Sequence, residues 1–181
     1  MTDFPELNTA ALTLRRTCQA DIPALIKYLS NRSISSQLLN IPFPYREEDA
    51  TKRLNFIEQG FLNKDRYVFA VSLRTDSELI GQIGLHLDKI HNHAEVGYWI
   101  AEPFRNKGIA SQAAGMILKF GFEILKLHKI YATHFPDNPA SAKVMLKHKM
   151  IKEGELKDHY KLNGTYKSVI QYRLTKDEYA G

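Results

Sequence analysis

FRNKGIASQA, residues 104–113, sets two basic side chains, Arg105 and Lys107, ahead of Gly108 and then small residues that run into an apolar helical pattern. A helix begins with unpaired backbone N–H donors at the positive end of its dipole. A bare glycine and two cations at that point make a seat for an anion. The spacing is neither that of a P-loop nor that of GxGxxG. Taken alone, the stretch is also compatible with an ordinary helix start whose basic residues are solvated. Its neighbours decide.

Upstream, AEVGYWIA (94–101) reads as a strand. Downstream, a helix from Ile109 to Leu125 turns Ala110, Ala113, Ala114, Ile117, Gly121, Ile124 and Leu125 towards a sheet. IYATHF (130–135) is the next strand, and a strand–helix–strand run of this length demands a crossover and a parallel pair. Further out, LTLRRT (12–17) alternates as a strand, and Ile22, Leu25, Ile26 and Leu29 share one helical face. IPFPYR (41–46) is a rigid turn, because each proline restricts itself and the residue before it. The helix that follows shows Ala50, Leu54, Ile57 and Phe61 on one stripe, with Glu47, Glu48 and Asp49 in its first turn.

YVFAVSL (67–73) and ELIGQIGLHL (78–87) form a hairpin around RTDSE. The first strand is apolar on both faces apart from Ser72, hence central. In the second, Leu79, Ile83, Leu85 and Leu87 are expected on one face, with Gln82 and His86 on the other. DNPASAKVMLKH (137–148) is a capped short helix, and strands near 151–161 and 165–174 pair across NGT. The order β α α β β β α β α β β predicts an α/β (α+β) fold: a mixed, mostly antiparallel sheet of about seven strands with one parallel βαβ pair and about four helices.

The 181 residues suit one domain spanning 1–181, with enough chain for a sizeable core. At 44% hydrophobic and 25% charged, the composition is that of a soluble globular protein. No apolar run approaches the about 18 residues of a membrane span. MTDFPELNTA lacks a basic start followed by an apolar stretch, so no secretory signal and a cytoplasmic location are expected. A single cysteine, Cys18, permits no internal disulfide, and without a motif around it a buried or inert thiol is expected. The net charge of +5 favours anionic partners without naming one. KLHK (126–129) and KHKMIK (147–152) read as solvated cationic faces, without the interleaved aromatics that nucleic-acid binding requires. His91 and His93 stand in a polar turn far from Cys18, so no zinc set is recognisable and no metal is expected.

Arg105-Asn106-Lys107-Gly108-Ile109-Ala110 fits the [Q/R]-x-x-G-x-[G/A] signature of the GNAT superfamily of acetyl-coenzyme A-dependent N-acetyltransferases. AEVGYWI resembles the fourth strand of its RimJ/RimL-type subfamily, and FRNKGIASQAAGMIL resembles that subfamily's phosphate loop and helix. IPFPY, DNPAS and EGELKDHYKLNGTYKSVIQYRL are similar too, in the right order over nearly the whole chain. The resemblance implies the GNAT fold, its parallel pair splayed at the cofactor site, and acetyl-CoA as co-substrate. Arg105, Asn106, Lys107, Gly108, Ile109, Ala110 and Ser111 would hold the pyrophosphate. The pantetheine arm would pair like an extra strand with Tyr98, Trp99, Ile100 and Ala101. Asn138 and Ser141 match the family's N-x-x-S, which contacts pantetheine or the leaving sulfur, although the same pattern reads as a helix cap.

In such enzymes a neutral amine attacks the thioester directly. The resemblance implies a main-chain N–H of the YWI segment for the developing oxyanion. Glu95 would take the amine's proton, with His86 as the alternative. Many members place a tyrosine in the helix after Asn138 to assist the leaving thiolate. Here Met145 occupies that place, and Ser141 is the remaining candidate. KHKMI (147–151) replaces the usual E-K-x-G-F, which implies a different helix exit with Met150 in the aromatic's core position. The acceptor cleft would be lined by IPFPYR, including Phe43 and Tyr45, by the helix over 47–63, by the final hairpin and by His86. The acceptor is a protein N-terminal amine, ribosomal or other, or a small amine. An α-amine, at about 7.7–8.0, needs less help from a base than lysine at about 10.4. The basic surface argues against polyamines, a homodimer is compatible with the resemblance, and the missing tyrosine motivates one other reading, a non-catalytic acyl-CoA-binding module.

Overall fold

A computed structural model describes residues 3–39, 41–162 and 164–180. The strands are β1 (Leu7–Asn8), β2 (Leu12–Arg16), β3 (Arg66–Leu73), β4 (Asp76–Asp88), β5 (His93–Ile100), β6 (Lys129–His134), β7 (Ile151–Leu162) and β8 (Thr165–Thr175). The helices are α1 (Ile22–Leu29), α2 (Arg32–Ser35), α3 (Glu47–Leu62), α4 (Ile109–Lys119), α5 (Pro139–Lys147) and α6 (Lys176–Ala180). The strands form one eight-stranded sheet in the order β1-β2-β3-β4-β5-β6-β8-β7. Every neighbouring pair is antiparallel except β5 and β6, which are parallel because α4 carries the chain across between them. The short β1, α2 and α6 are additions to the expected order. Asn163 of the NGT turn lies outside the described residues.

Each face of the sheet has its own core. On one, Ala113, Ala114 and Ile117 of α4 meet Leu14, Phe69, Ile83 and Leu85. On the other, Leu25 and Leu29 of α1 and Ala50 and Leu54 of α3 meet Ala70 and Trp99. Fully burying one such side chain stabilises by about 1.5–3 kcal/mol. A buried carboxylate, Asp21, pins the sheet edge to α1: both its oxygens accept from Arg15, at 2.7 and 2.9 Å, and Oδ2 also accepts from the Cys18 N–H at 2.8 Å. Cys18 itself is exposed rather than buried.

Two side-chain directions differ from the periodic expectation, and a local irregularity explains each. The β3–β4 register slips between Val71, opposite Gly81, and Leu73, opposite Asp76. Leu79 therefore joins the α1–α3 core, and Ile80 takes its place beside Ile83 and Leu85. Helix α4 runs into a π-helical turn over Phe120–Ile124. The wider turn rotates the buried stripe: Leu118, Phe120 and Phe122 go inside, while Ile124 is 66% exposed.

The exit from α5 is also not the different one expected. Met150 N–H donates to Met145 O at 3.1 Å and Lys149 N–H to Leu146 O at 2.9 Å, the paired bonds of a Schellman end. Lys149 holds the left-handed conformation (φ 58°) that glycine would take in such a turn. Met150 is buried in the α4-side core, as its aromatic counterpart would be.

Candidate active site

The turn before α4 is built by two residues in the left-handed region, Asn106 (φ 60°) and Gly108 (φ 76°), which bring the chain sharply into the helix. Gly108 stands at the N-cap, no side chain among the described residues caps the helix, and a Cβ at Gly108 would meet nothing within 4 Å. The first N–H groups of α4 thus open onto free space, with Ile109 and Ala110 behind Gly108.

Arg105 also has a structural part. Its Nε donates to Ile100 O at 3.1 Å and its Nη2 to Ser33 O at 3.4 Å, so it braces the loop against the end of β5 and against α2. Glu102 completes that brace by accepting from Asn31 Nδ2 at 2.6 Å. Lys107 lies over the Phe104 ring and leaves its ammonium at the surface. Ser111 is buried, with its hydroxyl 3.2 Å from His148 Nε2, a contact that ties α4 to the end of α5.

β5 and β6 pair only at His93–Lys129, Ala94–Ile130 and Glu95–Tyr131. Beyond that point β5 stays with β4 as far as Ile100, and β6 stays with β8 as far as His134. The two parallel strands part, and β5 from Val96 to Ile100 has one edge unpaired by strand. Beneath the opening, Val96, Tyr98, Ala114, Leu118, Val144 and Met145 line an apolar pocket. Tyr98 Oη lies 3.0 Å from Ser141 Oγ. Asn138 caps α5 by accepting from the Ser141 N–H at 3.3 Å, which fixes Ser141 at the rim. Burial raises the Tyr98 hydroxyl above its ordinary value, so it stays protonated and able to donate. Sequence reading assigned Tyr98 only a backbone role, because residues 98 and 141 meet only in the fold.

The other face of the opening is polar. Glu95 accepts from Thr133 Oγ1 at 3.0 Å, and burial raises its carboxyl above the usual range, against the opposing effects of Thr133 and His159. Tyr131 is pushed up to about 12 by burial, then by the Glu95 charge and Tyr160. His86 stands opposite Glu95 on β4. Its ring keeps an accessible edge, yet crowding by the walls, and then Arg66 and Arg53, pull it down to about 4. Arg66 Nε donates to His86 Nδ1 at 2.9 Å. The neutral ring therefore carries its proton on Nε2, and His86 is a donor here rather than a free base. Between Glu95 and Trp99, Gly97 is exposed, and a Cβ there would meet nothing within 4 Å. Of the residues expected at the acceptor, Tyr45 is 3% exposed, while Phe43 is 49% exposed beneath the Arg32 guanidinium.

A second surface depression lies elsewhere, between Arg16, Pro23, Lys27 and Glu78. Its lysine and arginines are paired, Lys27 to Glu78 at 3.0 Å, Arg15 to Asp21 at 2.7 Å and Arg16 to Glu58 at 2.5 Å, and it contains none of the site residues above. Among the described residues no group of three or more His, Cys, Asp or Glu gathers as a metal would need. None of the described helices is long and apolar enough to cross a membrane.

The sheet opens between two parallel strands, beside a helix start without a side-chain cap, the arrangement expected of the GNAT acyltransferases. The family model described as Acetyltransferase (GNAT) domain matches residues 11–151. An uncharacterised N-acetyltransferase of Bacillus licheniformis is 31% identical over 179 residues, 97% of this chain and 98% of that protein. The ribosomal-protein-serine acetyltransferase of Escherichia coli (strain K12) is 32% identical over 146 residues, 78% of this chain and 79% of that protein. The crystal structure of spermidine N-acetyltransferase from Vibrio cholerae, in complex with CoA and spermine, matches with a TM-score of 0.80 at 27% identity, covering 94% of this chain and 98% of that one. The chain belongs to the GNAT acetyltransferase family, and it is an acyltransferase with that family's mixed sheet.

Proposed function

We propose that the protein transfers the acetyl group of acetyl-CoA to a primary amine that enters over the Glu95 face. The observation that carries this reading is the parting of β5 and β6 after Glu95 and Tyr131, next to the uncapped start of α4. The groups present fit acetyl-CoA: open space at Gly108 for a pyrophosphate, an unpaired strand edge for an extended amide-bearing arm, and an apolar pocket below it. Acetyl-CoA supplies an activated acyl group on a thiol leaving group.

The chain's own residues divide the remaining work. Backbone N–H groups of Gly108, Ile109 and Ala110 receive the pyrophosphate, while Asn106 shapes the turn and Lys107 adds charge. Main-chain groups of Tyr98, Trp99 and Ile100 align the arm. Glu95 takes a proton from the amine, its raised pKa bringing it closer to the amine's own. The Tyr98–Ser141 pair holds a proton at Ser141 Oγ for the departing sulfur, supplying a hydroxyl where Met145 has none. That pair supports the catalytic reading over a non-catalytic acyl-CoA-binding one. The acceptor is an N-terminal α-amine or another amine that is partly neutral near pH 7.

Thiol release from acetyl-CoA, measured across N-terminal peptides and small amines, tests the reading. Turnover of at least one amine, lost on replacing Glu95 by glutamine, is the expected result. Tight acetyl-CoA binding with no turnover of any amine would defeat it.

A further inference from the structure

The acceptor face holds a cation that acetyl transfer by itself does not use. Arg53, on α3, donates from Nε to Gln82 Oε1 at 2.7 Å. Gln82 is 1% exposed, and its amide has one orientation: Oε1 also accepts from Trp99 Nε1 at 3.4 Å, and Nε2 donates to Thr17 Oγ1 at 3.2 Å. Arg53 is therefore anchored along its Nε edge, which leaves the Nη1 and Nη2 fork for another partner. Among the described residues, the guanidinium has no carboxylate within 4 Å. Burial lowers its pKa, and Tyr45 is the group that opposes the shift. The Tyr45 hydroxyl is itself buried without a partner among the described residues. A half-buried guanidinium with a free fork, beside a buried and unpaired hydroxyl, offers donors that one incoming anion can meet together.

We propose that Arg53, assisted by Tyr45, receives a carboxylate carried by the acceptor, so that the substrate is an amine with an acidic group on the same molecule and not a polyamine. This rests on the acetyl-transfer reading above. Gln82 and His86 share one face of β4, four residues apart, which places them about 13 Å from each other along the strand. Glu95 stands across from His86 and Trp99 across from Gln82, with open Gly97 between them on β5. The floor is polarised: the Glu95 carboxylate attracts the amine at one end, and the Arg53 fork matches a carboxylate at the other. An acidic residue within the first two or three positions of a peptide spans that distance. A free α-amino acid, whose two charged groups share one carbon, is too short.

Trp99 is the chain's one tryptophan and hydrogen-bonds the same Gln82, so its fluorescence reports occupancy without turnover. The test titrates the CoA complex with a Ser-Asp-Glu peptide, its Ser-Asn-Gln isostere, free glutamate and spermidine. Thiol release from acetyl-CoA is followed in parallel. The acidic peptide is expected to bind about ten- to hundredfold more tightly than its amide isostere, the range of a charge-assisted hydrogen bond. That advantage should vanish in Arg53→Gln and shrink in Tyr45→Phe. Equal binding of the two peptides, or preference for spermidine or free glutamate, would overturn the proposal. This comparison needs only the unmutated protein, so it stands even if Arg53→Gln fails to fold. A clear preference for the acidic peptide with no acetylation of any amine would support the charge recognition and overturn acetyl transfer instead.

Discussion

Glu95 lies where β5 and β6 separate, bonded to Thr133 and half withdrawn from water. Burial raises its carboxyl, and the sign of that shift has two consequences. As a proton acceptor Glu95 must be ionised, so kcat/KM should climb as pH rises through its raised pKa. Glu95→Gln should lower kcat/KM by about 10²–10⁴ and flatten that acid limb, as a pH–rate profile would show. Because the folded state favours the protonated form, burial of Glu95 also makes the fold less stable as pH rises through the same range. The glutamine variant should therefore melt no lower than the parent at neutral pH. His86 sits in a different setting: Arg66 donates to its Nδ1, and desolvation, then Arg66 and Arg53, lower its pKa to about 4. From sequence, Glu95 is the expected base and His86 the alternative; their environments come from residues 133, 66 and 53, distant along the chain.

The start of α4 is the element on which cofactor binding depends. Gly108 holds φ 76°, and its missing side chain leaves the N–H groups uncovered. Gly108→Val should keep the fold, at a conformational cost of about 1–2 kcal/mol. It should weaken acetyl-CoA by tenfold or more, about 1.4 kcal/mol, measured by calorimetry with circular dichroism as the fold control. At the end of α5, Lys149 occupies a left-handed position that suits glycine. Lys149→Gly should therefore stabilise the protein by about 1 kcal/mol, raising the melting temperature by about 2–4 °C without changing turnover. Both ends were readable as helix boundaries because capping depends on adjacent residues. The buried stripes of β4 and α4 were read less well: a register slip and a π-turn each break the period on which such readings depend.

At the scale of the whole molecule, the opening between β5 and β6 is the one place where the sheet leaves parallel neighbours unpaired. Acetyl-CoA should close that gap. At one hundred times its Kd it should add about 2.7 kcal/mol to stability, a rise of about 5–10 °C in melting temperature. Hydrogen exchange should slow most along Val96–Ile100, and uniform slowing across the sheet would count against the strand-like docking of the arm. The sequence by itself determined the order of the main elements, the parallel crossover and the glycine turn into α4 at Gly108, because each depends on periodicity or on a few contiguous residues. Only the tertiary structure decided that Arg105 braces the loop, that Tyr98 meets Ser141, and that Arg53 is held by Gln82 with no carboxylate beside it among the described residues. Those pairings join residues tens of positions apart, and hydrogen-bond geometry between them exists only once the sheet and helices have brought them together.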